Sequence, residues 1–167
     1  MLKKTIILLM LGLLLISVGC KAPPAERPDS SEGLPIFAAQ DAFGNTVSQE
    51  NWANYDLIML NFWATWCPPC IRELPELQLL HEAYGERGLL LLGVLTDGKT
   101  EDALPLIEQF GLSYSIFTAE GDLKQFSRSV QAVPTSFFLS PSGEELMKVV
   151  GSRDYKGWAE IVEDLLP

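Results

Sequence analysis

The feature that most constrains the fold is a pair of nearly continuous apolar runs, DLIMLNFW at residues 56–63 and GLLLLGVL at residues 88–95. Such runs are typical of central strands that are covered on both faces. Between them, leucines and a tyrosine recur at helical spacing from residue 74 to residue 84, which predicts a helix from Pro68 to about Arg87. The stretch therefore predicts two parallel strands joined by a crossover helix.

The other segments complete an α/β domain around this unit. LPIFAAQDAFGNTVS contains two short extended pieces around the turn AFGN, a predicted hairpin. The segments that follow the central unit read, in order, as a helix with Pro105 in its early turns, a short strand YSIFT, a third helix, a strand–turn–strand unit and a final amphipathic helix. This order predicts a mixed central sheet flanked by helices on both faces, with an N-terminal β-hairpin extension.

Length and charge limit the classes of function. A chain of 167 residues is the size of one domain. Its net charge of −10 opposes binding to nucleic acid, which needs a positive surface. We therefore expect no nucleic-acid partner.

The N-terminus predicts an export signal outside the folded domain. MLKKTIILLMLGLLLISVGC places two lysines before an apolar run and small residues before Cys20, the layout of a secretory signal. SVGC resembles a lipobox, so we expect residues 1–19 to be a lipoprotein-type signal peptide and Cys20 to carry lipid. The run is short for a spanning helix, which needs about 20 apolar residues, but an uncleaved anchor and a cleaved soluble form stay open as alternatives. Residues 20–33 are rich in proline, serine and charge and are predicted to be a tether.

The cysteine count agrees with lipidation. Three cysteines are an odd number for an exported chain, and a leftover thiol needs an explanation. If Cys20 carries lipid, Cys67 and Cys70 remain as a pair. Export also implies an oxidising environment, in which disulfides persist.

The Cys67–Cys70 pair has several chemical interpretations. Structural zinc normally needs four ligands, and the only other candidates are His81 and Cys20. Two thiolates can hold a soft ion such as copper, and a structural disulfide across so short a loop would restrain the unfolded chain little. Redox chemistry is the interpretation that these considerations favour, and we expect no metal.

The position of the pair supports redox chemistry. A helix that begins at or just after Cys67 places this thiol at unpaired N–H groups and the positive end of the helix dipole, which should lower its pKa. Cys67 is then the attacking thiolate and Cys70 the resolving thiol. Trp66 either covers the site or helps to bury the end of the strand. Arg72 and Glu73 are expected to be solvated, with tuning of the charge of the site as the alternative.

The sequence FWATWCPPC resembles the active site of the thioredoxin superfamily, and the resemblance extends over residues 34–167. Pro75 matches the proline that kinks the active-site helix in thioredoxins. AVPTSFF resembles the segment that places a cis-proline opposite the cysteines. The resemblance implies a thioredoxin fold, a cis Val133–Pro134 bond, and a substrate peptide that pairs with the backbone at Val133 and Thr135.

Within the superfamily the chain resembles the TlpA/ResA-like branch, whose members are exported and tethered to a membrane. The hairpin FAAQDAFGNTVS and the segment KTEDALPLIEQFGLSYSIFT carry this resemblance. In that branch an acid after the second central strand lies near the cysteines. Here the position falls on Asp97, which is expected to help deprotonate Cys70 unless it is only a turn residue before Gly98.

The resemblance implies an extracytoplasmic thiol–disulfide oxidoreductase, held by lipid on the periplasmic side or the outer face of the cytoplasmic membrane. It favours a reductase that is recharged by a membrane electron donor and acts on exported proteins with reducible disulfides, apocytochrome c among them. No cofactor beyond the Cys67–Cys70 disulfide is expected. A thiol oxidase or isomerase, a thiol peroxidase and a non-enzymatic copper carrier are the alternatives. Ala64 stands where peroxiredoxins carry a threonine, which argues against the peroxidase.

Overall fold

The structure is a computed structural model that describes residues 34–167. This range is the predicted domain. The predicted signal peptide (1–19), the predicted lipidation site Cys20 and the tether (20–33) lie outside the described residues.

Within residues 34–167, seven strands form two sheets. They are β1 (Ala38–Gln40), β2 (Thr46–Ser48), β3 (Leu57–Trp63), β4 (Leu89–Leu95), β5 (Ser115–Thr118), β6 (Thr135–Leu139) and β7 (Glu145–Val150). β1 and β2 form an antiparallel hairpin, as predicted. The other five strands lie in the order β5–β4–β3–β6–β7. β3, β4 and β5 are parallel, whereas β6 runs antiparallel to both β3 and β7, so the central sheet is mixed.

Four α-helices of the described domain accompany the sheet. They are α1 (Pro68–Tyr84), α2 (Leu104–Phe110), α3 (Gly121–Ser129) and α4 (Tyr155–Leu165). Short 3-10 segments precede α2 and follow α1. Pro105 lies in the first turn of α2 and Pro75 lies inside α1, as the sequence predicts. Pro105 is tolerated there because the first turn of a helix has no partner for its backbone N–H groups.

The two faces of the central sheet are covered by different elements. One core contains apolar residues of α1, α2 and α4, including Leu77 and Trp158. The other contains residues of α3 and of the hairpin region, including Leu123, Phe37 and Trp52. β3 is buried along its whole length because it is covered on both faces. The prediction of helices on both faces is confirmed.

A buried carboxylate attaches the hairpin to the edge of the central sheet. Asp41 accepts hydrogen bonds from the backbone N–H groups of Asn45 and Phe43 at 2.8 and 3.0 Å and from the Ser115 hydroxyl at 2.9 Å. The backbone N–H of Ala42 also donates to the carbonyl of Ile116 on β5. The hairpin therefore lies beside β5, next to the segment that follows β4.

Three neighbouring strands of the central sheet carry small or polar residues at one register position. Asn61 on β3 lies opposite Gly93 on β4 and Ser136 on β6. A Cβ atom at Gly93 would lie 3.2 Å from the Trp63 indole nitrogen and 3.0 Å from the Ile116 side chain. Glycine is required here because these side chains close over the strand.

Candidate active site

Cys67 caps the N-terminus of α1. Its backbone is extended, with φ −94° and ψ 105°, and its sulfur accepts a hydrogen bond from the Cys70 N–H at 3.3 Å. Pro68 is the first helical residue, a position at which no N–H is needed. The helix thus begins directly after Cys67, as predicted, and because Pro68 and Pro69 carry no N–H, the Cys70 N–H is the group of the first turn that donates to this sulfur.

Cys67 and Cys70 form a disulfide. Their Cα atoms are 5.3 Å apart. The two residues are 3% and 1% exposed, respectively. The pair therefore lies just beneath the surface, and the structure represents its oxidised form.

The loop before β6 faces this disulfide. The Val133–Pro134 peptide bond is cis, which confirms the prediction. The carbonyl oxygen of Val133 lies 3.7 Å from the Cys67 sulfur. This is a contact and not a hydrogen bond, because a disulfide sulfur carries no proton. The sulfur therefore lies beside backbone that a bound peptide can pair with.

The neighbours of the cis-proline are held within the fold. The Thr135 hydroxyl donates to the Ala132 carbonyl at 2.7 Å, and the Thr135 side chain is buried. The Pro134 carbonyl accepts from the Gly151 N–H at 2.9 Å. The Thr135 backbone is also paired with β3 and β7, and the substrate-binding role of Thr135 stays a prediction.

Trp66 and Asp97 meet at the carboxyl edge of the sheet. Trp66 is 66% exposed. Its indole N–H donates to the Asp97 carboxylate at 2.6 Å. The exposure of Trp66 excludes the alternative that its ring buries the end of β3. Asp97 lies in the exposed segment after β4, and its role as a proton acceptor stays a prediction.

The structure corrects the expectation that Glu73 is solvated. It was predicted to be solvated together with Arg72, but only Arg72 is exposed, and Glu73 is 2% exposed. Its carboxylate accepts hydrogen bonds from the Arg153 backbone N–H at 2.8 Å and from the Trp158 indole at 3.1 Å. The Asn61 amide donates to it at 3.3 Å. These donors come from two distant parts of the chain, β3 and the start of α4, and allow the carboxylate to be buried.

The burial of Glu73 changes its acidity. Burial raises the pKa of Glu73 from its ordinary 4.5 to about 7, although the hydrogen bonds from Arg153, Asn61 and Trp158 and the positive charge of Arg153 act to lower it. Such a carboxyl changes its protonation near neutral pH. Because residues three apart on a helix share a face, Glu73 lies on the same side of α1 as Cys70, and both side chains point inward. Glu73 is therefore a second candidate for the group that exchanges a proton with Cys70.

Sequence reasoning missed the burial of Glu73, although a signal was present. Cys70, Glu73, Leu77, Leu80 and Tyr84 follow the spacing of one helical face, and the structure buries all five. An acid within this apolar stripe indicates a buried carboxyl.

The described residues contain neither a spanning helix nor a metal cluster. From residue 34 to residue 167, no helix is long and apolar enough to cross a membrane. Within the same range, no group of three or more histidine, cysteine, aspartate or glutamate side chains is arranged to hold a metal ion.

The fold and the site together define a thiol–disulfide oxidoreductase with a thioredoxin fold. A solved structure of a thiol:disulfide interchange protein from Chlorobium tepidum TLS matches with a TM-score of 0.72 and 24% identity. The match covers 81% of this chain and 96% of that one, and it confirms the fold.

Sequence comparison then defines the family. The profile of the AhpC/TSA family matches residues 18–144, and the chain belongs to this family. The thiol-disulfide oxidoreductase ResA of Oceanobacillus iheyensis is 35% identical over 88 residues, which are 52% of this chain and 45% of that protein. The protein of the same name from Bacillus cereus is 28% identical over 129 residues, which are 77% of this chain and 73% of that protein.

Proposed function

We propose that the protein reduces disulfide bonds of exported proteins, with Cys67 as the nucleophile and Cys70 as the resolving thiol. One observation carries this proposal: the Cys67–Cys70 disulfide lies at the start of α1, with the Cys67 sulfur 3.7 Å from the backbone carbonyl that precedes the cis-proline. In this arrangement a reactive sulfur lies beside the backbone of the loop before β6, where a substrate peptide can be held in extended form.

The reaction consists of two thiol–disulfide exchanges. The Cys67 thiolate attacks one sulfur of the substrate disulfide, and the other substrate sulfur leaves as a thiolate that takes up a proton. The Cys70 thiolate then attacks the Cys67 sulfur, which releases the second substrate thiolate and forms the Cys67–Cys70 disulfide. Two electrons pass to the substrate, and a dithiol donor restores the reduced protein.

The residues around the pair have distinct roles in this scheme. The Cys70 N–H, which donates to the Cys67 sulfur at 3.3 Å, stabilises the attacking thiolate as a helix N-terminus does. Pro134 offers no N–H to compete with a substrate for the sulfur. Glu73 takes the proton that Cys70 must lose before it attacks, because a carboxyl with a pKa near neutrality is matched to this task.

The proposed setting is outside the cytoplasm. The secretory layout of residues 1–19 and the cysteine that follows support export and a lipid anchor at Cys20. The proposed partners are a membrane electron donor and exported proteins with oxidised thiols, including the haem-binding thiols of apocytochrome c. The chemistry needs no metal and no cofactor beyond the disulfide, because the two cysteines carry both electrons.

The direction of electron flow is tested by the reduction potential of the Cys67–Cys70 pair. The protein is equilibrated with glutathione or dithiothreitol buffers, and the fraction of molecules that carry the Cys67–Cys70 disulfide is measured by thiol alkylation. A reductase is expected to lie near thioredoxin, at about −270 mV, whereas an oxidase would lie towards about −120 mV, the value of DsbA. A value near the oxidase would overturn the proposed direction while leaving the exchange chemistry intact.

The peroxidase and copper-carrier alternatives are tested on the same preparation. Reduction of insulin should proceed in the presence of chelators, and hydrogen peroxide should be consumed far more slowly than insulin disulfides. The reduced domain should bind copper(I) no more tightly than an ordinary dithiol. Rapid peroxide turnover, or copper binding well above that of a dithiol, would favour the alternative concerned.

A further inference from the structure

The two carboxylate oxygens of Glu73 have different surroundings. Oε1 accepts two hydrogen bonds, from the Arg153 backbone N–H at 2.8 Å and from the Trp158 indole N–H at 3.1 Å. Among the described residues, the donor that reaches Oε2 is the Asn61 amide, at the longer distance of 3.3 Å. The carboxylate is therefore bound through one oxygen to the start of α4 and through the other to β3.

This division determines which oxygen can carry a proton. A carboxylate oxygen has two lone-pair sites, and both sites of Oε1 are used. A backbone N–H and an indole N–H can donate but cannot accept, so a proton on Oε1 would displace a donor and find no acceptor. Oε2 keeps a lone-pair site, and it is the oxygen that can take up a proton.

The donors on both sides of the carboxylate are held in place. The Trp158 side chain is fully buried, and its ring centroid lies 6.0 Å from that of Phe138 on β6. On the other side, the Asn61 amide also donates to the Ser136 hydroxyl at 3.0 Å. Close packing in the interior leaves neither donor free to reorient, so the two oxygens of Glu73 keep their separate environments.

Two charged or titratable side chains face Glu73 from outside α1. Burial raises the pKa of Glu73, whereas the hydrogen bond from Trp158 and the positive charge of Arg153 act to lower it. Tyr114, which precedes β5, is buried, and burial followed by the charge of Glu73 raises the pKa of its hydroxyl, which therefore stays protonated. On α1 itself, Cys70 lies one turn before Glu73 and is the group with a proton to give.

We infer that Trp158 is a positioning residue that engages Oε1 of Glu73 and thereby reserves Oε2 for the proton of Cys70. The inference rests on the proposed role of Glu73 as a proton acceptor. In the transfer the S–H bond of Cys70 breaks, an O–H bond forms at Oε2, and the electron pair stays on the sulfur as the attacking thiolate. The proton returns to the Cys70 sulfur when the dithiol donor reduces the pair again. Trp158 acts through Glu73 and does not touch the reacting sulfur.

The test compares wild type with Trp158→Phe, Glu73→Gln and the double variant that carries both changes. Phenylalanine keeps an aromatic ring and removes the N–H. Trp52→Phe is the matched control, because Trp52 is also buried but its indole nitrogen has no hydrogen-bond partner among the described residues. If Trp158→Phe does not fold, benzothienylalanine at position 158, which keeps the bicyclic ring and lacks the N–H, takes its place.

Two measurements are made on the full chain. The Glu73 carboxyl is titrated by NMR of carbon-labelled glutamate in the oxidised protein, in which the active-site pair has no thiol to titrate. The release of substrate from the mixed disulfide is followed against pH by single-turnover quench with alkylation. The first measurement needs no turnover, so it separates the hydrogen bond from the reaction.

The expected result is an upward shift of both pH dependences in Trp158→Phe. A hydrogen bond favours a charged acceptor over the neutral form by about one pKa unit, so the Glu73 titration should move from about 7 upward by about one pH unit. Release should slow about 3- to 5-fold at pH 7, and the difference should disappear above about pH 9. Trp52→Phe should match wild type, and Trp158→Phe should cause no further change in the Glu73→Gln background.

Other outcomes would overturn the inference. The inference is wrong if the Glu73 titration does not move in Trp158→Phe, or if it moves while the pH profile of release overlays wild type. Slowing that is equal at every pH, or that persists in the double variant, would assign Trp158 a packing role alone. If Glu73→Gln releases substrate at the wild-type rate, the proposed role of Glu73 fails together with this inference, whereas a slow Glu73→Gln with an unshifted Trp158→Phe rejects the inference alone.

Discussion

The buried carboxyl of Glu73 makes the stability of the oxidised protein depend on pH in an unusual direction. The pKa of Glu73 is raised from 4.5 to about 7 by burial. Between these values the folded protein binds a proton that the unfolded chain releases, so the free energy of unfolding should fall as the pH rises. An ordinary surface carboxylate with a lowered pKa would give the opposite slope.

The size of the effect follows from the same shift. Each pKa unit corresponds to about 1.4 kcal/mol, so ionising Glu73 should cost the folded state about 3 kcal/mol at pH 8. Since Glu73 is 2% exposed, solvent screening does little to reduce this cost. The Glu73→Gln variant cannot ionise and should therefore lack this contribution. The advantage of the variant over wild type should therefore be greater at pH 8 than at pH 5 by about 2 to 3 kcal/mol, because at pH 5 the unfolded chain has already released most of this proton.

The assay is urea unfolding of the oxidised domain at pH 5 and pH 8. Glu76→Gln is the matched control, because Glu76 also lies on α1 and also accepts a backbone N–H, from Tyr155 at 2.8 Å. The control should keep the wild-type dependence on pH. If the difference between wild type and Glu73→Gln is the same at both pH values, Glu73 does not titrate in this range and the proposed proton acceptor is lost.

Further predictions concern the reaction, the anchor and the hairpin. Glu73→Gln should slow the release of substrate from the mixed disulfide by about 10²-fold or more, measured by single-turnover quench with alkylation at pH 7. Cys20→Ala should abolish labelling with a lipid precursor and release the protein from membranes, whereas unchanged retention would favour an uncleaved N-terminal anchor. Asp41→Ala should lower the free energy of unfolding by about 1–3 kcal/mol, because the backbone N–H groups of Phe43 and Asn45 and the Ser115 hydroxyl lose their shared acceptor. Limited proteolysis should then cleave first near the hairpin, and cleavage elsewhere would contradict the proposed attachment.

Much of the fold was predictable because its signals are local. The apolar runs of β3 and β4 and the helical spacing between them specify one parallel unit. The turn residues specify the two antiparallel pairs, β1–β2 and β6–β7. The position of Cys67 at a helix start also follows from its neighbours, since Pro68 suits the first helical turn.

The rest of the site depends on contacts between distant parts of the chain. Glu73 is buried because the backbone at Arg153 and the indole of Trp158 supply donors about 80 positions away. A single sequence carries no sign of these donors. Asp97 was predicted to reach the active-site edge, but its bond to Trp66 depends on the path of an exposed segment, which local propensities do not determine.

The central claim is that Cys67 attacks substrate disulfides and Cys70 resolves the product, and trapping tests it most directly. The Cys70→Ser variant, reduced and then exposed to oxidised insulin, is alkylated, digested and analysed by mass spectrometry. The mechanism predicts a stable mixed disulfide on Cys67, and the matched Cys67→Ser variant should form little adduct. An adduct that forms on Cys70 in the Cys67→Ser variant, or no adduct on Cys67 while wild type turns over, would contradict the assignment of the two sulfurs.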